Sequence, residues 1–179
     1  MVKGRSLYFL YALALLLLIL YSFRVIPSFI TKHFEDGVAL LDLRLWYTSS
    51  EVYNLFYALG NSGRESYVYF LLYVDMFYPI VYGLFLILTI HILYKRVNFK
   101  ETNLKIAMAL PLGALLFDYI ENISILFLLN NYPAIEGCNV LVASASTFLK
   151  WMLLLICVAT ILSTLFVLVY RRYQKLLIK

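Results

Sequence analysis

Residues 141–170 read LVASASTFLKWMLLLICVATILSTLFVLVY, a run in which Lys150 is the only charge. A helix needs about 20 predominantly apolar residues to cross the hydrocarbon of a bilayer. Inside that hydrocarbon every backbone polar group must be satisfied within the protein, which a helix does by itself. Three further runs read the same way, over residues 7–27, 67–94 and 104–129. The chain has 179 residues, 64% hydrophobic and 14% charged. A soluble domain carries about 25% charged residues. The chain is therefore read as one all-α integral membrane domain, a bundle of four spans.

The basic residues say which end is which. Lys3, Arg5, Lys95, Arg96, Lys100, Lys105, Arg171, Arg172, Lys175 and Lys179 flank the spans on one side, opposed only by Glu101. The other side holds Arg24, Lys32, Arg44 and Arg64 against Glu35, Asp36, Asp42, Glu51, Glu65 and Glu136. By the positive-inside rule both termini are cytoplasmic, as an even number of spans requires. The net charge of +5 follows this topology, so nucleic acid is excluded as a partner. Met1-Val-Lys-Gly-Arg followed by an apolar run resembles a signal peptide, but no Ala-x-Ala-like site follows it, and an uncleaved anchor is expected. Cys138 and Cys157 fall in a loop and a span, which argues against a disulfide. No metal spacing exists, and neither metal nor cofactor is expected.

The outer loop, residues 28–66, has internal order. Asp36-Gly37 is a turn signal. Thr48-Ser49-Ser50-Glu51 has the form of a capping box. It opens a helix whose Val52, Leu55, Phe56 and Leu59 make one apolar stripe. Gly60 is expected to end that helix and Asn61-Ser62-Gly63 to break the chain before the second span. The result is a short amphipathic helix on the outer surface or roofing the bundle.

Four charges lie inside the spans: Asp75, Asp118, Glu121 and Lys150. At 1.5 Å per residue, Asp75 lies about 12 Å from the outer end of its span, Asp118 about 16 Å, Glu121 about 12 Å and Lys150 about 13 Å. Their heights agree, which points to one shared polar pocket in the outer half. Tyr78 and Tyr82 share the face of Asp75, Asn122 that of Asp118 and Glu121, and Ser146 and Thr147 that of Lys150. Pro79 frees the carbonyl of Asp75, and Pro111 that of Ala107; such breaks open cavities between helices. Three carboxylates and one ammonium sum to −2, which a low-dielectric pocket does not hold, so a retained proton is expected. That suits acid–base chemistry, the binding of a cationic amine between Tyr faces, or a purely structural network. Conduction is disfavoured, because no polar stripe continues to the cytoplasmic end. His91 is read as interfacial, His33 as loop surface, Asn122-Ile123-Ser124 as an unused glycosylation sequon, and Tyr67, Tyr69, Tyr94, Tyr170 and Tyr173 as an aromatic belt.

Leu41-Asp42-Leu43-Arg44 after the first span, the amphipathic helix, Val74-Asp75-Met76-Phe77-Tyr78-Pro79-Ile80-Val81-Tyr82 and the proline followed by an acid pair in the third span together resemble the EXPERA superfamily. That group holds the emopamil-binding-protein-type sterol isomerases and the sigma-2-receptor-type proteins. The resemblance implies an outer-half pocket for a sterol-like or amphiphilic amine ligand, with Asp75 as second-span acid, Asp42 as the acid after the first span, and Asp118 or Glu121 in the third-span role. Those isomerases also use a pocket histidine, which this chain lacks at that depth, and Lys150 is unusual for the group. Ligand binding is thus the first expectation, with Asp75, Tyr78, Tyr82, Asn122, Lys150 and Asp42 as contacts. Asp75, Glu121 and Asp118 are the candidates if the pocket is a membrane isomerase or lipid-modifying site. The expected partners are membrane lipid or a small hydrophobic ligand, and a homodimer is allowed. The opposing expectation is a structural or partner-binding protein whose charges only lock the bundle.

Overall fold

The computed structural model describes residues 2–34 and 38–177, with the backbone alone for residues 2–5 and 177. The Asp36-Gly37 turn lies outside these residues. The chain folds as α1 (Val2–Leu20), a π-turn (Tyr21–Val25), α2 (Ile26–His33), a 3-10 turn (Leu41–Leu43), α3 (Ser49–Phe70), a second π-turn (Leu71–Asp75), α4 (Tyr78–Val97), α5 (Glu101–Asn131) and α6 (Gly137–Leu177). Four helical segments are long and apolar enough to cross a membrane: Ser6–His33, Ser49–Val97, Glu101–Asn131 and Gly137–Leu176. The protein is an all-α four-helix membrane bundle. Its helices run past the expected spans at most ends, and much of the expected loop 28–66 is helical.

Aromatic pairs set the direction of the first two spans. Tyr11 stacks on Phe85, Tyr21 on Tyr78, and Phe29 meets Phe70, with centroids 5.5, 6.2 and 5.5 Å apart. One number rises as the other falls, so the two spans are antiparallel. Connections of a few residues make α4, α5 and α6 antiparallel neighbours in turn. α5 and α6 make the most extensive contact, helped by small residues: Ala114 on α5 and Ala143, Ser144 and Thr147 on α6 are all buried. α1 leans on α4 and scarcely touches α6.

The amphipathic helix forms as its sequence dictates. Thr48 Oγ1 accepts from the Glu51 N–H at 3.4 Å, and Glu51 Oε2 accepts from the Thr48 N–H at 2.7 Å, which closes the capping box. Val52, Leu55 and Phe56 are buried, whereas Tyr53 and Tyr57 are exposed. The buried stripe meets Ile125, Leu128 and Val140 and so roofs the end of the bundle. The expected end of this helix is corrected. Gly60 does take a positive φ of 62°, but with ψ −171°. That is a kink and not a left-handed cap, and the chain resumes helix at once through Asn61-Ser62-Gly63 into the second span. Arg64 braces the kink: its guanidinium donates to Phe56 O at 2.7 Å, binds Asn61 Oδ1, and lies over the Tyr132 ring at 4.4 Å.

Pro79 has no N–H for the carbonyl four residues back, and the second span breaks there. Met76 N–H donates to Leu71 O at 2.9 Å, closing the π-turn, and α4 restarts at Tyr78. The Tyr119 hydroxyl donates to Met76 O at 3.1 Å within the break. Pro111, by contrast, sits inside an unbroken α5.

At Gly60 a Cβ would meet nothing within 4 Å, so only its backbone angle resists substitution. Gly60→Ala should cost about 1–3 kcal/mol, because that φ/ψ region belongs almost solely to glycine. Gly137→Ala, whose Cβ would find only Ser49 Oγ at 3.7 Å, should stay within about 0.5 kcal/mol of the parent. Thermal unfolding in detergent measures both, and equal effects would contradict the strain.

Candidate functional site

Lys150 projects from α6 toward two carboxylates on α5. Its Nζ lies 3.5 Å from Asp118 Oδ1 and contacts Glu121 Oε2 directly. Three residues of separation place both acids on one face of α5, one turn apart. The remaining oxygens are bonded too. Tyr82 of α4 donates to Asp118 Oδ2 at 2.7 Å, and Thr147 of α6 donates to Glu121 Oε1 at 2.6 Å. With its one proton committed there, Thr147 Oγ1 accepts from the Tyr47 hydroxyl at 3.2 Å. Burial pushes the Tyr47 hydroxyl above its ordinary value, which keeps it a neutral donor. Tyr47 N–H in turn donates to Ser144 Oγ at 2.9 Å. One polar chain thus ties the loop, α4, α5 and α6 together.

Magnitudes explain the need for two acids. Burying an ammonium costs several kcal/mol even after relaxation. One carboxylate near 4 Å returns about 4 kcal/mol at an effective dielectric of about 20. A second acid and the surrounding hydroxyls carry the balance to the favourable side.

Beside this cluster lies a cavity of about 490 Å³. Asp118 and Lys150 form part of its wall, Asp75 and Asp42 another part, and Tyr78, Tyr82 and Trp151 line it as well. The rest is apolar, with Leu18 from α1, Phe85 and Leu86 from α4, and Leu154 and Val158 from α6. α1 and α6 both contribute to the cavity wall but scarcely touch each other. Ser22, in the first π-turn, meets the Tyr78 hydroxyl at 3.1 Å across it. Asp75 closes the second π-turn, so an irregular turn of each of the first two spans borders the same space.

The acids differ in their partners. Asp42 Oδ1 accepts from the Tyr67 hydroxyl at 2.8 Å, and Asp42 O from Trp151 Nε1 at 3.3 Å. Asp75 is only 6% exposed, and its Oδ2 has no hydrogen-bond partner among the described residues. Asn122 lies beside it but makes no bond of ordinary geometry, and both its amide atoms are unpartnered among those residues.

The structure therefore brings Asp42, Asp75, Tyr78, Tyr82, Asp118 and Lys150 to one cavity. Glu121 and Asn122, fully buried, stand behind the wall. His33 is exposed at the end of α2, and neither it nor His91 lines the cavity. Tyr67 is corrected: it is not in the aromatic belt but fully buried against Asp42, with the Leu41 N–H donating to its oxygen at 3.1 Å. Tyr47, Trp151 and Ser22 escaped the reading of the sequence. Only the four-residue spacing between Thr147 and Trp151, which brackets Lys150, hinted at any of them. Among the described residues no group of His, Cys, Asp and Glu could hold a metal ion.

Lys150→Met should destabilise the protein by about 3–5 kcal/mol, because it strands two buried carboxylates. Adding Asp118→Asn and Glu121→Gln should restore most of that loss in a detergent melt; a triple variant as unstable as the single one would contradict the pairing. The chain matches no family model, no curated protein and no solved structure.

Proposed function

We propose that the protein binds a hydrophobic or amphiphilic molecule bearing a cationic amine, in the cavity between its first and last spans. The observation that carries this reading is Asp75, a buried carboxylate in the wall of an otherwise largely apolar cavity, whose Oδ2 has no hydrogen-bond partner among the described residues. Lys150 cannot serve it, since Asp118 and Glu121 already hold that ammonium. Asp42 accepts a hydrogen bond from Tyr67 and, among the described residues, pairs with no cation. A ligand ammonium would supply the missing charge, with the rings of Tyr78 and Tyr82 offering cation–π contact. The volume falls in the range of small-molecule sites, roughly 300–1,000 Å³. Leu18, Phe85, Leu86, Leu154 and Val158 would surround the ligand's apolar body, which would arrive from the bilayer. The layout is in keeping with the resemblance to the EXPERA superfamily. Isomerase chemistry of that group is the weaker reading, because no histidine lines the wall.

The structural reading applies to a different set of residues. Lys150, Asp118 and Glu121 satisfy one another and lock α5 to α6. Asp75 does not belong to that lock.

Asp75→Asn in the purified full chain separates the two roles. It should leave the melting temperature unchanged or raised, as relief of a strained site does. It should also weaken binding of a long-chain tertiary amine about tenfold or more, read as lost thermal stabilisation. The corresponding long-chain alcohol should stabilise neither form. Unfolding of Asp75→Asn comparable to that of Lys150→Met, or equal stabilisation of parent and variant by the amine, would refute the assignment.

A further inference from the structure

At the opposite end, the one holding the start of α1 and the end of α6, the last turns of α4 and α6 enclose a groove of about 800 Å³. Arg171 reaches across it and donates to Val97 O at 2.7 Å, capping the end of α4 and fixing the two helix ends together. Arg96, Arg172 and Lys175 line the same groove, and no acid does. Among the described residues none of these three has a carboxylate within ion-pair distance; Lys95 alone at this end is so paired, with Glu101 at 2.9 Å. Two helix C-termini contribute about −0.5 charge each, too little to offset four cations. The groove therefore carries a surplus of roughly three positive charges.

Its walls are also graded. Leu168 and Val169 face it from the span side, followed by Tyr170, while Arg172, Gln174 and Lys175 lie one to two turns further out. Tyr170 and Tyr173 are more than half exposed, as residues at a membrane interface are. An apolar wall on the hydrocarbon side and cations on the water side match an amphiphile with an anionic head. From this we propose that the groove binds the phosphate headgroup of an anionic membrane lipid, with Arg96, Arg172 and Lys175 on the phosphate and Leu168 and Val169 against the acyl chains. The lipid is preferred to free phosphate because inorganic phosphate makes no use of the apolar wall. The site is separate from the Asp75 cavity and stands or falls without it.

The test titrates short-chain phosphatidic acid onto the full chain in neutral detergent and follows the melting temperature. The lipid should stabilise the parent, and binding should weaken as salt rises. The pair Arg172→Gln/Lys175→Gln should bind roughly 25-fold more weakly, about fivefold for each exposed cation removed. Lys100→Gln/Lys105→Gln removes as much charge from the same end but outside the groove, and should bind like the parent. Equal losses in the two pairs, salt-insensitive binding, or equal stabilisation by phosphatidylcholine would overturn the site. Inorganic phosphate binding as tightly as the lipid would overturn the lipid as its occupant.

Discussion

Lys150 carries an ammonium into the middle of a bundle of apolar helices, and the neighbouring elements are placed by its neutralisation. Two acids one turn apart on α5 must face it, which fixes the rotation and register of α5 against α6. Their outer oxygens need donors, and two supply them, Tyr82 on α4 and Thr147 on α6; Tyr47 in the connecting loop bonds Thr147 in turn. The loop is thus drawn down onto the bundle, and the helix that follows it arrives as a roof. A purely apolar seam could slide by a turn at modest cost, whereas this one cannot without stranding charge.

That arrangement divides the acids into two kinds. Asp118 and Glu121 are consumed by the lysine. Asp75 sits at a break that Pro79 imposes on its helix, in the wall of the cavity and outside the ion pairs of the lysine. Irregular backbone is tolerated at membrane depth where it borders a cavity, and both π-turns do so here. The same physics therefore builds a rigid ion cluster on one wall and leaves a single unsatisfied carboxylate on another. A binding site needs both features: a support that holds still and one group whose partner is missing.

Much of this was legible in the chain because it rests on local rules. Four apolar runs, the Thr48–Glu51 capping box, the stripe from Val52 to Phe56 and the break at Pro79 each depend on neighbours within one or two turns. The agreement in depth of Asp75, Asp118, Glu121 and Lys150 needed only a fixed rise per residue. What escaped depends on distant partners. Tyr67 reads as an interfacial tyrosine until Asp42, 25 residues earlier, folds back to accept its proton. Whether Glu121 or Asp118 borders the cavity is set by the rotation of α5, which spacing alone does not give. Gly60 was rightly marked as special, but its ψ makes a kink in place of a stop, bridged by Arg64 through Phe56 O and Asn61 Oδ1, and that bridge is not readable from local propensity.

The central claim is that an amphiphilic amine sits beside Asp75, between α1 and α6. Photolabelling measures this directly, using a long-chain amine with a diazirine on its tail and peptide mapping of the purified protein. The account predicts labels on Leu18, Leu154 and Val158, removed by excess unlabelled amine. Labels spread over the exposed apolar residues Phe9, Phe23 and Phe166, indifferent to competitor, would contradict it.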